Sequence, residues 1–160
     1  MNIHEIAERV GKTGDDILDC VRLSVALGYG NPDDVKEVSV VLMEPSLRRR
    51  IMYDVYPKAC YHNTWEAMDA LRRRDDVRYV LGYWHSVIPV EHCFLKVGDI
   101  YHDPTGEFLF PDDKHRYFSL LELSRSEVME IKKFMRRRFR SNDHIGICEY
   151  RRWLADCGGK

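Results

Sequence analysis

Three side chains in this sequence have the types and spacing to make a nucleophile work together: Cys60, His92 and Asp103. A thiol attacks as its thiolate, the minor form of a free cysteine near neutral pH, and a helix N-terminus and a nearby imidazolium both favour that form. Cys60 meets the first condition. From Cys60 onward Tyr61, Trp65, Met68 and Leu71 recur at helical spacing, Ala67 and Ala70 support a helix, and Arg72-Arg73-Arg74 sit where cations suit the C-terminal dipole. The imidazole must come from elsewhere, and His92 is the candidate, within the apolar run Pro89-Val90-Glu91-His92-Cys93-Phe94-Leu95.

The turn after that run supplies a carboxylate. A Val97-Gly98 loop places Asp103 directly across from His92, and a Gly98-Asp99 loop makes it a diagonal neighbour. Both registers keep the two side chains on one sheet face. A carboxylate there accepts from one imidazole nitrogen and leaves the other for a thiol. Each residue alone has an ordinary explanation: a cysteine in a core, a satisfied histidine on a sheet, an Asp-Pro turn. Their joint placement argues for chemistry. Weaker candidates surround them. The Cys60 N–H is placed to donate to an oxyanion, since helix N-terminal amides lack partners. Asn63 would brace the helix start or touch substrate, and Tyr83 and Trp84, with His85, would line a cleft. Glu91 falls on the face opposite His92 and is not the orienting acid.

The elements that must position these residues follow from the rest of the pattern. Residues 2–10 read as a short helix. Thr13 reads as the N-cap of a second, with Ile17, Leu18, Val21 and Val25 on one face, stopped by Gly28-Tyr29-Gly30. Val38 to Met43 is a short apolar run that Pro45 breaks, and a helix is expected over Leu47 to Asp54. Strands are expected at Tyr79 to Trp84, Val90 to Val97, Ile100 to Asp103 and Tyr117 to Leu123. Pro104-Thr105-Gly106 ends the third. Ser124-Arg125-Ser126-Glu127 is a capping box opening a helix to about Arg138, and a last helix covers Gly146 to Asp156. Helices, a meander of strands, then helices predict an α+β fold in one domain spanning residues 1–160, its antiparallel sheet packed against the helix that carries Cys60.

The segments Cys60-Tyr61-His62-Asn63-Thr64-Trp65, Tyr79-Val80-Leu81-Gly82-Tyr83, Pro89-Val90-Glu91-His92-Cys93-Phe94 and Asp103-Pro104-Thr105 together resemble the core of transglutaminase-like and papain-like cysteine enzymes. The resemblance covers roughly residues 56 to 106. It implies a papain-like or transglutaminase-like fold with Cys60 as nucleophile, His92 as base and Asp103 as orienter. The implied activity is cysteine-dependent acyl transfer, as hydrolase or transferase, on an amide, peptide or isopeptide through a thioester. The larger transglutaminases carry extra domains and need calcium; the nearer analogy is a compact hydrolase or amide-transfer enzyme without a cofactor.

Composition narrows the alternatives. The 160 residues are 44% hydrophobic and 32% charged with a formal net charge of -1, which fits a globular chain and argues against a general polyanion binder. Arg48-Arg49-Arg50, Arg72-Arg73-Arg74 and Arg136-Arg137-Arg138 read first as helix ends. They also carry the competing hypothesis, a non-catalytic module of enzyme-like fold that holds an acidic protein or nucleic acid. Gly11-Lys12-Thr13 lacks the glycine of a phosphate loop, because that position is Ile6, and His4-Glu5 lacks the second histidine of a zincin, because that position is Glu8. Cys60, His62, His85, His92 and Cys93 include no short-spaced zinc pair, so no metal is expected. The five cysteines do not have the spacing of a disulfide scaffold. The opening Met1-Asn2-Ile3-His4-Glu5 does not read as a secretion signal, and no apolar run approaches the roughly 18 residues of a membrane span. A reducing, cytoplasmic setting is the expectation. Specificity would come from the loops at Trp84 to Ile88 and Thr105 to Arg116.

Overall fold

The computed structural model describes residues 3–28, 30–52, 55–85, 87–110, 115–140 and 144–157. In chain order the elements are α1 (Ile3–Val10), α2 (Asp16–Leu27), a 3-10 turn (Pro32–Asp34), β1 (Lys36–Val38), α3 (Pro45–Ile51), α4 (Cys60–Ala70), β2 (Val77–His85), β3 (Pro89–Val97), β4 (Ile100–His102), α5 (Pro104–Leu109), β5 (Arg116–Leu123), α6 (Arg125–Phe139) and α7 (Ile147–Cys157). The fold is α+β with an antiparallel five-stranded sheet in the order β1-β5-β2-β3-β4. The expected meander holds for β2, β3 and β4; β5 returns to the far side of β2, and β1 lies outside it. The two edges then meet. Val40 bridges Tyr101 in parallel, and the Val41 N–H donates to the Tyr101 carbonyl at 3.0 Å. A sheet whose first and last strands touch must curl, and this one does.

Alternation along the strands sorts side chains onto two faces. On the convex face Tyr79, Leu81, Cys93 and Leu95 join Ala67, Met68 and Leu71 of α4 and Val128, Ile131 and Met135 of α6 in the main core. On the concave face Val80, Phe94 and Tyr117 form a smaller cluster, with Val38, Val40, Trp84 and Tyr101 against it. β5 carries a bulge where β2 pairing shifts between Leu81 and Gly82. A Cβ on Gly82 would lie 1.9 Å from the Phe118 carbonyl oxygen, so only glycine lets the two backbones approach this closely.

Several boundaries differ from expectation for local reasons. The N-cap of α2 is Asp15, whose carboxylate accepts from the Ile17 and Leu18 N–H groups; Thr13 instead donates to Asp19. Pro45, expected only to break the apolar run before it, opens α3, since proline suits a first helical turn. The expected end of that helix at Asp54, and Tyr29 in the glycine stop, lie outside the described residues. Of the apolar run Val38 to Met43, Val38 closes β1 and Val40 makes the edge bridge. Asp103-Pro104, expected to close a strand, starts α5: Asp103 caps it by accepting from the Thr105 N–H, with proline at the first position. The expected loop from Thr105 to Arg116 therefore begins as a helix, and its residues 111–114 lie outside the described ones, as does Ser86 in the loop from Trp84 to Ile88. The capping box at Ser124 and Glu127 is present. The α1–α2 pair has its own small core of Ile6, Val10, Leu23 and Ala26, and Arg116 ties it to the sheet through Asp15 and Glu37.

Candidate functional site

His92 sits in the middle of β3 on the concave face, opposite Gly82. The β3–β4 pairing runs Leu95 to His102 and Val97 to Ile100, so Gly98 and Asp99 make the turn. Of the two registers, this is the one that leaves Asp103 diagonal to His92. The diagonal is short: the His92 Nε2–Asp103 Oδ2 distance is 2.7 Å, with both side chains almost wholly buried. Asp103 is held from every side. Its Oδ1 accepts the Thr105 N–H at 3.0 Å, and its Oδ2 also accepts the Tyr117 hydroxyl at 2.9 Å. A Cβ on Gly106 would lie 2.5 Å from Asp103 Oδ2, so the absence of a side chain there makes room for the carboxylate.

Burial by itself would lower the His92 pKa. The Asp103 charge and hydrogen bond, joined by the influence of the nearby Cys60 side chain, outweigh it and raise the value to about 10. Burial would likewise raise Asp103, but the His92 charge and hydrogen bond hold its carboxyl below the usual range. The pair is thus an imidazolium against a carboxylate, and its second ring nitrogen is the one available to the thiol.

Cys60 is the first residue of α4 and is half-buried. Its N-cap, Ala59, offers no side-chain acceptor, and the first amide paired back along the helix is that of Asn63, on the Ala59 carbonyl at 2.8 Å. The amides of Cys60, Tyr61 and His62 therefore have no acceptor within the helix. Two residues upstream Lys58 takes a left-handed φ of 59°, an uncommon conformation for a side chain of this kind, in the turn that delivers the chain to Cys60. Asn63 is buried and works on the chain itself. Its Nδ2 donates to the Tyr56 carbonyl at 2.7 Å and to Thr105 Oγ1 at 2.8 Å, and its Oδ1 accepts the Tyr56 N–H at 3.0 Å. It fastens the approach to Cys60 onto the helix that Asp103 caps.

Of the two aromatic candidates, Trp84 shares the His92 face, with ring centroids 5.3 Å apart. Among the described residues its Nε1 is buried without a hydrogen-bond partner. Tyr83 does not share that face: alternation turns it toward Glu91 and α7, where burial and the Glu91 charge raise its pKa. The same alternation places Glu91 away from His92, as expected. Glu91 accepts from the Tyr61 hydroxyl at 2.7 Å and the Ile147 N–H at 2.9 Å.

Tyr117, Gly106 and Thr105 are the supporting residues that sequence reasoning missed. The Asp-Pro of a capped helix start was the readable signal for Thr105 and Gly106; Tyr117 reaches Asp103 only because the sheet curls. A cavity of about 680 Å³ lies behind Asp103, walled by Val38, Val41, Leu42, Phe110 and Tyr117, and Cys60 does not line it. Among the described residues no group of three His, Cys, Asp or Glu side chains is placed to hold a metal ion. The arginine runs lie apart: Arg48 in α3 pairs with buried Glu107 at 3.1 Å, Arg72 to Arg74 follow the end of α4 with Arg74 paired to Asp76 at 2.5 Å, and Arg136 to Arg138 fill the last turn of α6.

Comparison with protein-family models, with curated proteins and with solved structures finds no match to this chain. Among the described residues no helix is long and apolar enough to cross a membrane.

Proposed function

We propose that the chain is a cysteine-dependent acyl-transfer enzyme of transglutaminase-like or papain-like architecture, acting on an amide, peptide or isopeptide. The observation that carries the reading is the buried His92–Asp103 pair, 2.7 Å apart, with Cys60 at a helix N-terminus and its side chain near enough to the same imidazole to help hold its charge. The Cys60 thiolate adds to the carbonyl carbon, forming a C–S bond and a tetrahedral oxyanion that the uncapped α4 amides face. Collapse breaks the C–N bond, and the amine leaves with the proton of the His92 imidazolium. Water or a second amine then attacks the thioester and gives its proton to His92. The C–S bond breaks and the thiolate returns. Asp103 fixes the ring and stabilises its positive charge. All five cysteines are unpaired, which suits a reducing compartment such as the cytoplasm.

The test is competitive labelling. Iodoacetamide should modify Cys60 faster than Cys20, Cys93, Cys148 and Cys157, and Cys60→Ala should abolish reaction with an electrophilic acyl probe while the far-UV circular dichroism stays unchanged. Cys20, Cys148 and Cys157 are exposed, so exposure alone would favour them. Equal slow labelling of the exposed thiols and Cys60 would refute the reading.

A further inference from the structure

Asp103 Oδ2 receives two donors. His92 Nε2 lies 2.7 Å from it and the Tyr117 hydroxyl 2.9 Å, while Oδ1 takes the Thr105 N–H at 3.0 Å. The Thr105 bond, which makes Asp103 the cap of α5, already orients the carboxylate. Room for the second donor on Oδ2 is built in, since a Cβ on Gly106 would meet that oxygen at 2.5 Å and the Tyr117 hydroxyl at 2.7 Å. The Tyr117 ring is held edge-on to Phe94, with centroids 5.5 Å apart. Burial and the Asp103 charge push the Tyr117 hydroxyl well above the ordinary tyrosine pKa, so it keeps its proton and stays a donor. An ionised carboxylate can only accept.

Each carboxylate oxygen has two lone pairs. With His92 on one and Tyr117 on the other, moving the His92 proton onto Oδ2 would leave Tyr117 donating to an acid hydroxyl oxygen, a weaker acceptor than a carboxylate. We infer that Tyr117 is a positioning residue of the same reaction: it keeps Oδ2 an acceptor, so the proton that His92 takes up and gives to the leaving amine stays on His92 and never passes to Asp103. The inference rests on Cys60, His92 and Asp103 being the reacting set. Burial raises the Asp103 carboxyl; the His92 charge and hydrogen bond, the Gly106 amide and the Tyr117 hydroxyl hold it below the usual range. The other charged groups nearby are engaged elsewhere. Cys60 of α4 acts on the imidazole. Glu107, one turn along α5, accepts from the Met43 N–H and pairs with Arg48. Arg116 and Glu37, which line the cavity behind Asp103 with His115, pair with each other. Among the described residues the donors to Oδ2 are His92 and Tyr117.

The experiment compares the full chain with Tyr117→Phe and Tyr101→Phe. Tyr117→Phe keeps the ring and removes one oxygen. Tyr101→Phe removes the same group elsewhere on the sheet, where the hydroxyl donates to Glu122 at 2.6 Å. Two NMR readouts follow the proton: the Asp103 ¹³Cγ resonance from pH 7 down to acid unfolding, and the one-bond ¹⁵N–¹H coupling at His92 Nε2 at pH 6. Iodoacetamide labelling of Cys60 at pH 7 runs alongside. At a given acid pH the ratio of protonated to ionised Asp103 should be about tenfold higher in Tyr117→Phe, the effect of one hydrogen bond lost by a charged group. The His92 coupling should be smaller in that variant, because its proton lies closer to Oδ2. Both readouts should match the parent in Tyr101→Phe. Cys60 labelling should stay within about twofold of the parent in both variants, because the imidazolium remains. An unchanged His92 coupling in Tyr117→Phe would overturn the role of Tyr117 and leave Cys60 as nucleophile. A fall in labelling of about a hundredfold would overturn it as well, since the hydroxyl would then be holding the carboxylate against His92 rather than fixing the proton. Labelling of Cys60 in the parent no faster than that of the exposed thiols would overturn the reacting set and the inference together.

Discussion

Replacing Asp103 with asparagine keeps the size of the side chain and removes the charge that His92 faces. With the carboxylate present the His92 pKa stands at about 10, against an ordinary 6.5. Of the influences on it, burial lowers the value and Asp103 supplies the two largest opposing contributions. Without Asp103, burial dominates and the ring should be neutral at pH 7. The span from about 10 to below 6.5 exceeds three units at about 1.4 kcal/mol each, on the order of 4 kcal/mol of preference for the imidazolium. That agrees with the roughly 3–5 kcal/mol expected for breaking a buried ion pair. The sign of the linkage is fixed by direction. His92 is raised, so its contribution to stability is fully present below pH 6.5 and is lost as pH rises toward about 10. Asp103 is lowered, so its contribution is present above the usual carboxylate pKa and is lost as pH falls through its depressed value. The parent chain should therefore be most stable between roughly pH 4 and 6.5 on account of this pair, and Asp103→Asn should flatten that maximum. The assay is the pH titration of the His92 ring by ¹⁵N NMR, run beside urea unfolding and iodoacetamide labelling of Cys60 at pH 6. The expected results are a neutral ring at pH 7 in the variant and labelling slowed by about 10²-fold. A ring in Asp103→Asn that stays charged at pH 7, with Cys60 labelled at the parent rate, would refute the coupling.

Two glycine substitutions separate the scaffold from the site. Gly82→Ala drives a Cβ to within 1.9 Å of the Phe118 carbonyl oxygen, and backbone cannot rotate away; unfolding free energy should fall by about 3 kcal/mol, read from a shifted urea midpoint. A midpoint equal to that of the parent would show that the close approach of β2 and β5 is wrong. Gly106→Ala places a Cβ 2.5 Å from Asp103 Oδ2 and 2.7 Å from the Tyr117 hydroxyl, so the carboxylate must move. Its signature should be a lowered His92 pKa and slower Cys60 labelling, beyond what any loss of stability explains.

The site was legible where it depends on local geometry. A helix beginning at Cys60, the shared face of His92 and Asp103, and the opposite face for Glu91 all follow from the periods of helix and strand. The register of the β3–β4 hairpin was open between two turns because both conserve the face, and pairing of Leu95 with His102 resolves it. Tyr83 parts from Trp84 for a related reason. Aromatic residues adjacent in a strand cannot both face one cleft, and applying the alternation already used for Glu91 would have separated Tyr83 from Trp84. Pro45 and Pro104 were each read as an end, although proline at a first helical position marks a beginning just as well. Tyr117 was not legible at all. It meets Asp103 from 14 positions along the chain, and its approach depends on β5 pairing with β2 and on the sheet bending back on itself.

That bending has a consequence for how the molecule behaves among copies of itself. An open five-stranded sheet leaves two rows of unsatisfied amides and carbonyls, each a template on which a stray strand can grow. Here the outermost strands are three residues long, and the chain just beyond one of them is fastened to the other by the Val41–Tyr101 hydrogen bond, with the Val41 carbonyl engaged by the His102 ring at 3.0 Å. The seam leaves little exposed ladder to recruit a neighbour, so the closure that brings Tyr117 to Asp103 also guards the chain against strand-by-strand aggregation.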